Sequence, residues 1–269
     1  MSRENLHRAA FELLRIPDLE AKLSGCARLQ QAWRSGELAA TPLSLPELTE
    51  PGRPARPSLV DPRELPRRRL GSEGGRLSMI HAIAHIEFNA IHLALDAVQR
   101  FHGLPDAYYS DWLGVAVDEA RHFSLLRERL AAGGAAYGDY PAHDGLWDMA
   151  LRTRHDPLAR MALVPRVMEA RGLDVTPGII RRFAAIGDER TVAVLELILR
   201  EEVGHVEAGT RWFHYLCARR GLDPETRYFE LLREHLRGEI RCPLHHAARR
   251  AAGFSESELK KLEELCARH

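Results

Sequence analysis

One pattern occurs twice in this chain and limits what the chain can become. A lone glutamate sits in a helix-forming stretch, and a Glu-x-x-His motif follows 32 or 33 residues later. The first set is Glu87, Glu119 and His122; the second is Glu169, Glu202 and His205. Residues three apart on a helix share a face, so each motif aims a carboxylate and an imidazole the same way. In an antiparallel helical hairpin, Glu87 and Glu119 would each lie about 21 Å from the turn, at about 1.5 Å rise per residue. The same holds for Glu169 and Glu202. The repeat therefore predicts two hairpins, each carrying Glu…Glu-x-x-His at one depth. With 25 Glu and 14 His, chance alone supplies about one Glu-x-x-His. A third copy, Glu4–His7, is read as that chance event.

The rest of the chain supports a helical reading. Helical spacing of apolar residues predicts two short helices over 2–35 and long helices over 77–101, 109–132, 157–186 and 188–219. A helical tail covers 222–269. The third long helix is expected to break near Gly172 and near Pro177–Gly178. A short helical piece is expected around 146–151 within the connection 133–156. Seven of the 15 prolines fall between Pro42 and Pro66, a density that excludes helix and central strand alike and predicts an extended strap. Leu43, Leu45, Leu48, Leu59 and Val60 are its expected apolar anchors. Arg67–Arg69 at its end is read as a solvated patch. No alternating strand pattern of useful length occurs. The predicted organisation is an N-terminal helical extension (1–40), the strap (41–76), a four-helix bundle (77–220) and a C-terminal helical extension (221–269). Ser255 with Glu258 forms a capping box and Phe254 with Leu259 a staple at the last helix.

Composition narrows the function classes. Hydrophobic residues are 45% and charged residues 28%, which excludes disordered and fibrous chains. Lys+Arg and Asp+Glu are equal at 38 each, which argues against a general nucleic-acid or anionic-membrane binder. The first residues lack a signal-peptide core, and no apolar run nears the roughly 18 residues of a membrane span. Cys26, Cys217, Cys242 and Cys266 are widely spaced and are read as unlinked thiols of a cytoplasmic protein.

The chemistry lies in the repeated pattern. Glu87 and Glu169 stand in apolar helix interiors (HIEFNAIHLAL and MALVPRVMEARGL), where an unpaired carboxylate is costly and a metal would relieve the cost. Four glutamates balance two divalent cations with both histidines neutral. The competing reading has them as surface carboxylates or as buried partners of Arg166, Arg171 and Arg200. Pro165, four residues before Glu169, is expected to kink that helix. His81, His85 and His92 follow a stripe off the Glu87 face and are read as interface residues rather than ligands. Tyr137 and Tyr140 are read as packing, with a relay role as the other option; Trp147 and Trp212 are read as core.

Two hairpins with one long crossover is the connectivity of ferritin-like bundles, and over about 77–219 the chain resembles the ferritin-like di-iron carboxylate superfamily. HAIAHIEFNAIHLALDAVQRF, DWLGVAVDEARHF and VPRVMEARGLDVTP look closer still to the bacterial domain of unknown function 455 (DUF455). A more distant resemblance is to the tRNA hydroxylase of prenylated adenosine. The resemblance implies two iron ions, or manganese or a mixed Mn/Fe pair, with Glu119 and Glu202 bridging. Glu87 with His122 would hold one metal and Glu169 with His205 the other. The same four glutamates would be the catalytic residues. It further implies an oxygenase or oxidase using O2, an organic substrate and an electron donor. A tRNA substrate stays open, a homodimer is one expected assembly, and no membrane partner is expected. Ferroxidase, peroxide scavenging or metal handling is the second reading, and a non-enzymatic metal-stabilised bundle the third. Ala84, Ala90, Ile91, Val115, Phe123, Ile198 and Gly209 are expected to line an apolar cavity.

Overall fold

The computed structural model describes residues 3–65, 70–236 and 240–266, and Arg67–Arg69 lie outside them. The described residues are overwhelmingly helical, as an all-α chain requires. They form two compact units, Met1–Leu151 and Arg152–His269.

The first unit is built on one hairpin. Helices α1 (Leu6–Arg15) and α2 (Leu19–Arg34) precede it, and α3 (Glu73–Arg100) and α4 (Asp106–Ala132) form it. Asn5, Asp18 and Ser72 each accept a main-chain N–H of the following turn, which fixes the starts of α1, α2 and α3. Ser72 starts α3 four residues before the predicted Leu77. Helix α1 packs on α3 and α2 on α4. Two-residue strands β1 (Glu4–Asn5) and β2 (Leu38–Ala39) pair in parallel, too short to show in the sequence. The connection after α4 yields helix α5 (Gly145–Arg152), where a short helical piece is expected.

The strap docks on this unit, though not as its apolar residues suggest. Of the five expected anchors only Leu48 is buried, and Leu59 is 43% exposed. Main-chain bonds do the holding instead. Gly52 N–H donates to Leu14 O at 2.9 Å, Val60 N–H to Ala142 O at 2.9 Å, and Ala142 N–H to Ser58 O at 3.0 Å. Trp147 Nε1 donates to Thr49 O, and Arg100 Nη2 to Leu48 O. A proline-rich segment has few N–H groups but keeps every carbonyl, so donors from the helices satisfy it. A Cβ at Gly52 would lie 2.0 Å from Arg15 O, so only glycine fits there.

Lys22 is the buried cation under the strap. Its Nζ donates to Leu14 O and Gly52 O, both at 2.8 Å. Burial is the main cause that brings its pKa down to about 7; Arg53 adds to the fall, and the Cys26 thiol opposes it. Between pH 7 and 10 the unfolded chain therefore holds a proton that the folded chain has lost, so this lysine makes stability rise with pH in that window. Urea melts at pH 7 and 9.5 are expected to differ by roughly 3 kcal/mol more in the wild type than in Lys22→Met. Equal differences in the two proteins would contradict this.

The second unit holds the other hairpin. Asp156 caps α6 (Pro157–Leu163) and accepts both Arg220 Nη atoms at 2.7 and 3.0 Å. A π-helical turn follows over Val164–Glu169, then α7 (Ala170–Ala184) and α8 (Glu189–Arg220). The expected breaks at Gly172 and Pro177 are absent, since α7 runs through both. The irregularity sits at Pro165, where a kink is expected. Proline cannot donate in an α ladder, and Ala170 N–H reaches back five residues to Pro165 O, the register of a π turn. Gly221 ends α8 in the left-handed region at φ 64°.

Helices α9 (Pro224–Leu236), α10 (His246–Ala251) and α11 (Glu256–Cys266) complete this unit. The predicted capping box forms: Ser255 N–H donates to Glu258 Oε2 and Glu258 N–H to Ser255 Oγ. The expectation of four unlinked thiols is corrected. Cys242 and Cys266 are disulfide-bonded, because the C-terminal fold brings their Cα atoms to 5.8 Å across 24 residues of chain. Cys26 and Cys217 are buried free thiols. No described helix is long and apolar enough to cross a membrane.

Candidate metal centre

The first candidate cluster lies in the α3–α4 hairpin. Glu87 on α3 and Glu119 and His122 on α4 are all buried. His122 Nδ1 lies 3.2 Å from Glu87 Oε2 and 3.4 Å from Glu119 Oε2. The matched-depth expectation is met in this hairpin. One ligand atom from each of the three residues can be chosen so that all lie within 4.8 Å of one another. Phe88, Ile91, Ala120, Phe123 and Leu126 on the same helices are buried and keep water away.

Electrostatics show why this triad is poised for a cation. Burial, then the Glu119 carboxylate, push Glu87 above the usual carboxylate range, and the bond to His122 only partly opposes them. Burial pulls His122 down, but its bonds to Glu119 and Glu87 outweigh burial and raise it above an ordinary histidine. Metal-free, the triad therefore retains protons on groups that a divalent cation would discharge.

A second Glu-x-x-His cluster lies in the other unit. Glu202 and His205 on α8 meet with Oε1 to Nδ1 at 3.3 Å, and both are largely buried. Glu169, well upstream of them, closes the π turn, half-buried with its Oε2 enclosed. The competing salt-bridge reading weakens for two of its arginines, because Arg166 pairs with Glu258 at 2.6 Å and Arg171 donates to Arg241 O at 3.1 Å and lies 3.7 Å from Asp174. The third motif copy makes no such pair: Glu4 is exposed, and the buried His7 has its Nδ1 2.8 Å from Val98 O.

One expectation about the surroundings changes. Gly209 leaves no room, since a Cβ there would lie 2.3 Å from the Pro165 ring. It lets the π turn pack closely on α8. Ala84, Ala90, Ile91, Val115 and Phe123 are buried in the first unit, and Ile198 is buried in the second. His81 and His85 turn to the crossover rather than the carboxylates: His81 Nε2 accepts Gly138 N–H, and His85 Nδ1 lies 2.8 Å from Tyr137 Oη.

The comparisons agree with the resemblance at the family level. An uncharacterized protein of Haemophilus influenzae (strain ATCC 51907 / DSM 11121 / KW20 / Rd) is 46% identical over 221 residues, covering 79% of this chain and 76% of that relative. No solved structure matches. The family described as "Protein of unknown function (DUF455)" matches residues 15–260, so the chain belongs to that family.

Proposed function

We propose that this protein is a ferritin-like di-iron carboxylate oxidoreductase that acts with dioxygen on an apolar organic substrate, taking electrons from a separate donor. The observation that carries this reading is the buried Glu87–His122–Glu119 triad, repeated in type by Glu202–His205 with Glu169 upstream. In this reading Glu202, Glu169 and His205 complete the ligand set. The donor set fits the cofactor. Four carboxylates match the charge of two divalent cations, and carboxylate with imidazole suits iron or manganese.

The chain's own residues hold and discharge the centre. Glu87 and His122 give up protons when the site fills, and the two histidines present neutral ring nitrogens. Buried Phe88, Ile91 and Phe123 keep the site dry, which strengthens every charge interaction in it. Two bound iron ions would supply dioxygen activation, a chemistry that belongs to the cofactor.

Stopped-flow mixing of the diferrous protein with O2 tests the proposal. One oxidation event per site with no growing ferric mineral is expected. Continued uptake of many iron equivalents per chain would support the ferroxidase or metal-handling reading instead. Retained folding and metal with no reaction would support the structural reading.

A further inference from the structure

A second buried polar cluster lies in the first unit, where the strap crosses α2 and α3. The strap delivers Arg53, α2 delivers Lys22, and α3 delivers His85, Asn89 and His92. Asp144, just before α5, lies 2.8 Å from Arg53 Nη2. Lys22, Asn89 and His92 are buried, while Arg53 and Asp144 reach the surface with side chains 17% and 23% exposed. Trp147 and Phe88 wall His92, with ring centroids 6.4 and 4.6 Å away.

Hydrogen bonding in this cluster is incomplete. Both His92 ring nitrogens are enclosed and have no hydrogen-bond partner among the described residues. The same is true of Asn89 Oδ1 and Arg53 Nη1. Asn89 Nδ2 lies 3.0 Å from His85 Nε2, and the two ends of the amide are nearly the same size. Turning the amide would let Asn89 Oδ1 accept from a protonated His85 Nε2 and free Nδ2 as a donor. Buried polar groups are normally satisfied, so Arg53 Nη1, one His92 N–H and the turned Asn89 amide, left without partners, point to a ligand.

Charge decides its class. Arg53 and Asp144 offset each other, burial keeps His92 neutral, and Lys22, brought down to about 7, carries its charge below that pH. The exposed Asp148 nearby is solvated. With Lys22 protonated, one net positive charge remains. A monoanion neutralises it, whereas a dianion would leave a buried negative charge.

We propose that Arg53, Lys22, Asn89 and His92 form a binding site for a small monocarboxylate, closed by the proline-rich strap. The planar Arg53 fork matches a carboxylate, His92 and Asn89 supply neutral donors, and the Trp147 and Phe88 rings suit a short apolar tail. No ligand of the metal centre takes part.

Calorimetric titration of the full chain with sodium acetate, at ionic strength held constant with sodium chloride, tests this. Saturable binding of one acetate per chain is expected, with phosphate at least about tenfold weaker. Arg53→Gln should weaken acetate at least about tenfold, Arg53→Lys by less, and the exposed control Arg28→Gln not at all. Should Arg53→Gln fail to fold, Arg53→Lys and His92→Phe carry the test, each expected to weaken acetate. Acetate heats no larger than those of chloride, or binding unchanged in every folded Arg53 and His92 variant, would overturn the proposal.

Discussion

Arg166→Ala is expected to destabilise the full chain by about 3–5 kcal/mol, as breaking a buried ion pair does. Arg166 is fully buried, and its Nη2 donates to the buried Glu258 at 2.6 Å. The rest of the guanidinium lies against aromatic faces, with Cζ 4.2, 4.6 and 4.9 Å from the centroids of Tyr228, Phe254 and Phe213. Those rings come from α8, α9 and the turn before α11, so one side chain from the π turn ties the C-terminal helices together. Removing it leaves the Glu258 carboxylate buried with only its capping bond from Ser255. The double variant Arg166→Met with Glu258→Gln should recover much of the loss, because an apolar stem fills the box and glutamine still accepts Ser255 N–H. Urea melts measure both. A cost below about 1 kcal/mol for Arg166→Ala, typical of a surface pair, would contradict this account.

His122→Ala and His205→Ala should each weaken metal binding at least about 100-fold, because even the partners behind metal ligands are worth 10–100-fold. Each variant removes one neutral donor from an otherwise carboxylate set. His122→Ala also leaves Glu87 and Glu119 facing each other with no imidazole between them. Chelator competition monitors the loss, and circular dichroism confirms that the helices remain. Filling the wild-type site should release protons into a weakly buffered solution, since the triad holds them when metal-free. Full metal retention in both variants would show that the ligand set is wrong.

Much of this was legible in the sequence because helices convert spacing into position. The 32-residue step from Glu87 to Glu119 predicts one depth in the first hairpin, and His122 touches both carboxylates there. Ser255 and Glu258 lie three apart, and the capping box follows from local geometry alone. Features without a period were not legible. The kink at Pro165 is expected, but its close packing depends on Gly209, forty-four residues later, letting the proline ring approach α8. The Cys242–Cys266 bond depends on how the tail folds back, which their spacing does not encode. The strap's apolar residues misdirected the expectation, because its carbonyls rather than its side chains make the contacts. The Arg53–Asp144 pair joins residues with no shared motif.

The central claim is one dinuclear centre made from both repeats of the pattern. An anomalous-scattering map from crystals of protein purified without added metal tests it most directly. The account predicts two peaks per chain, at an iron or manganese edge, enclosed by Glu87, Glu119, His122, Glu169, Glu202 and His205. A single peak, or none at these residues, would contradict it.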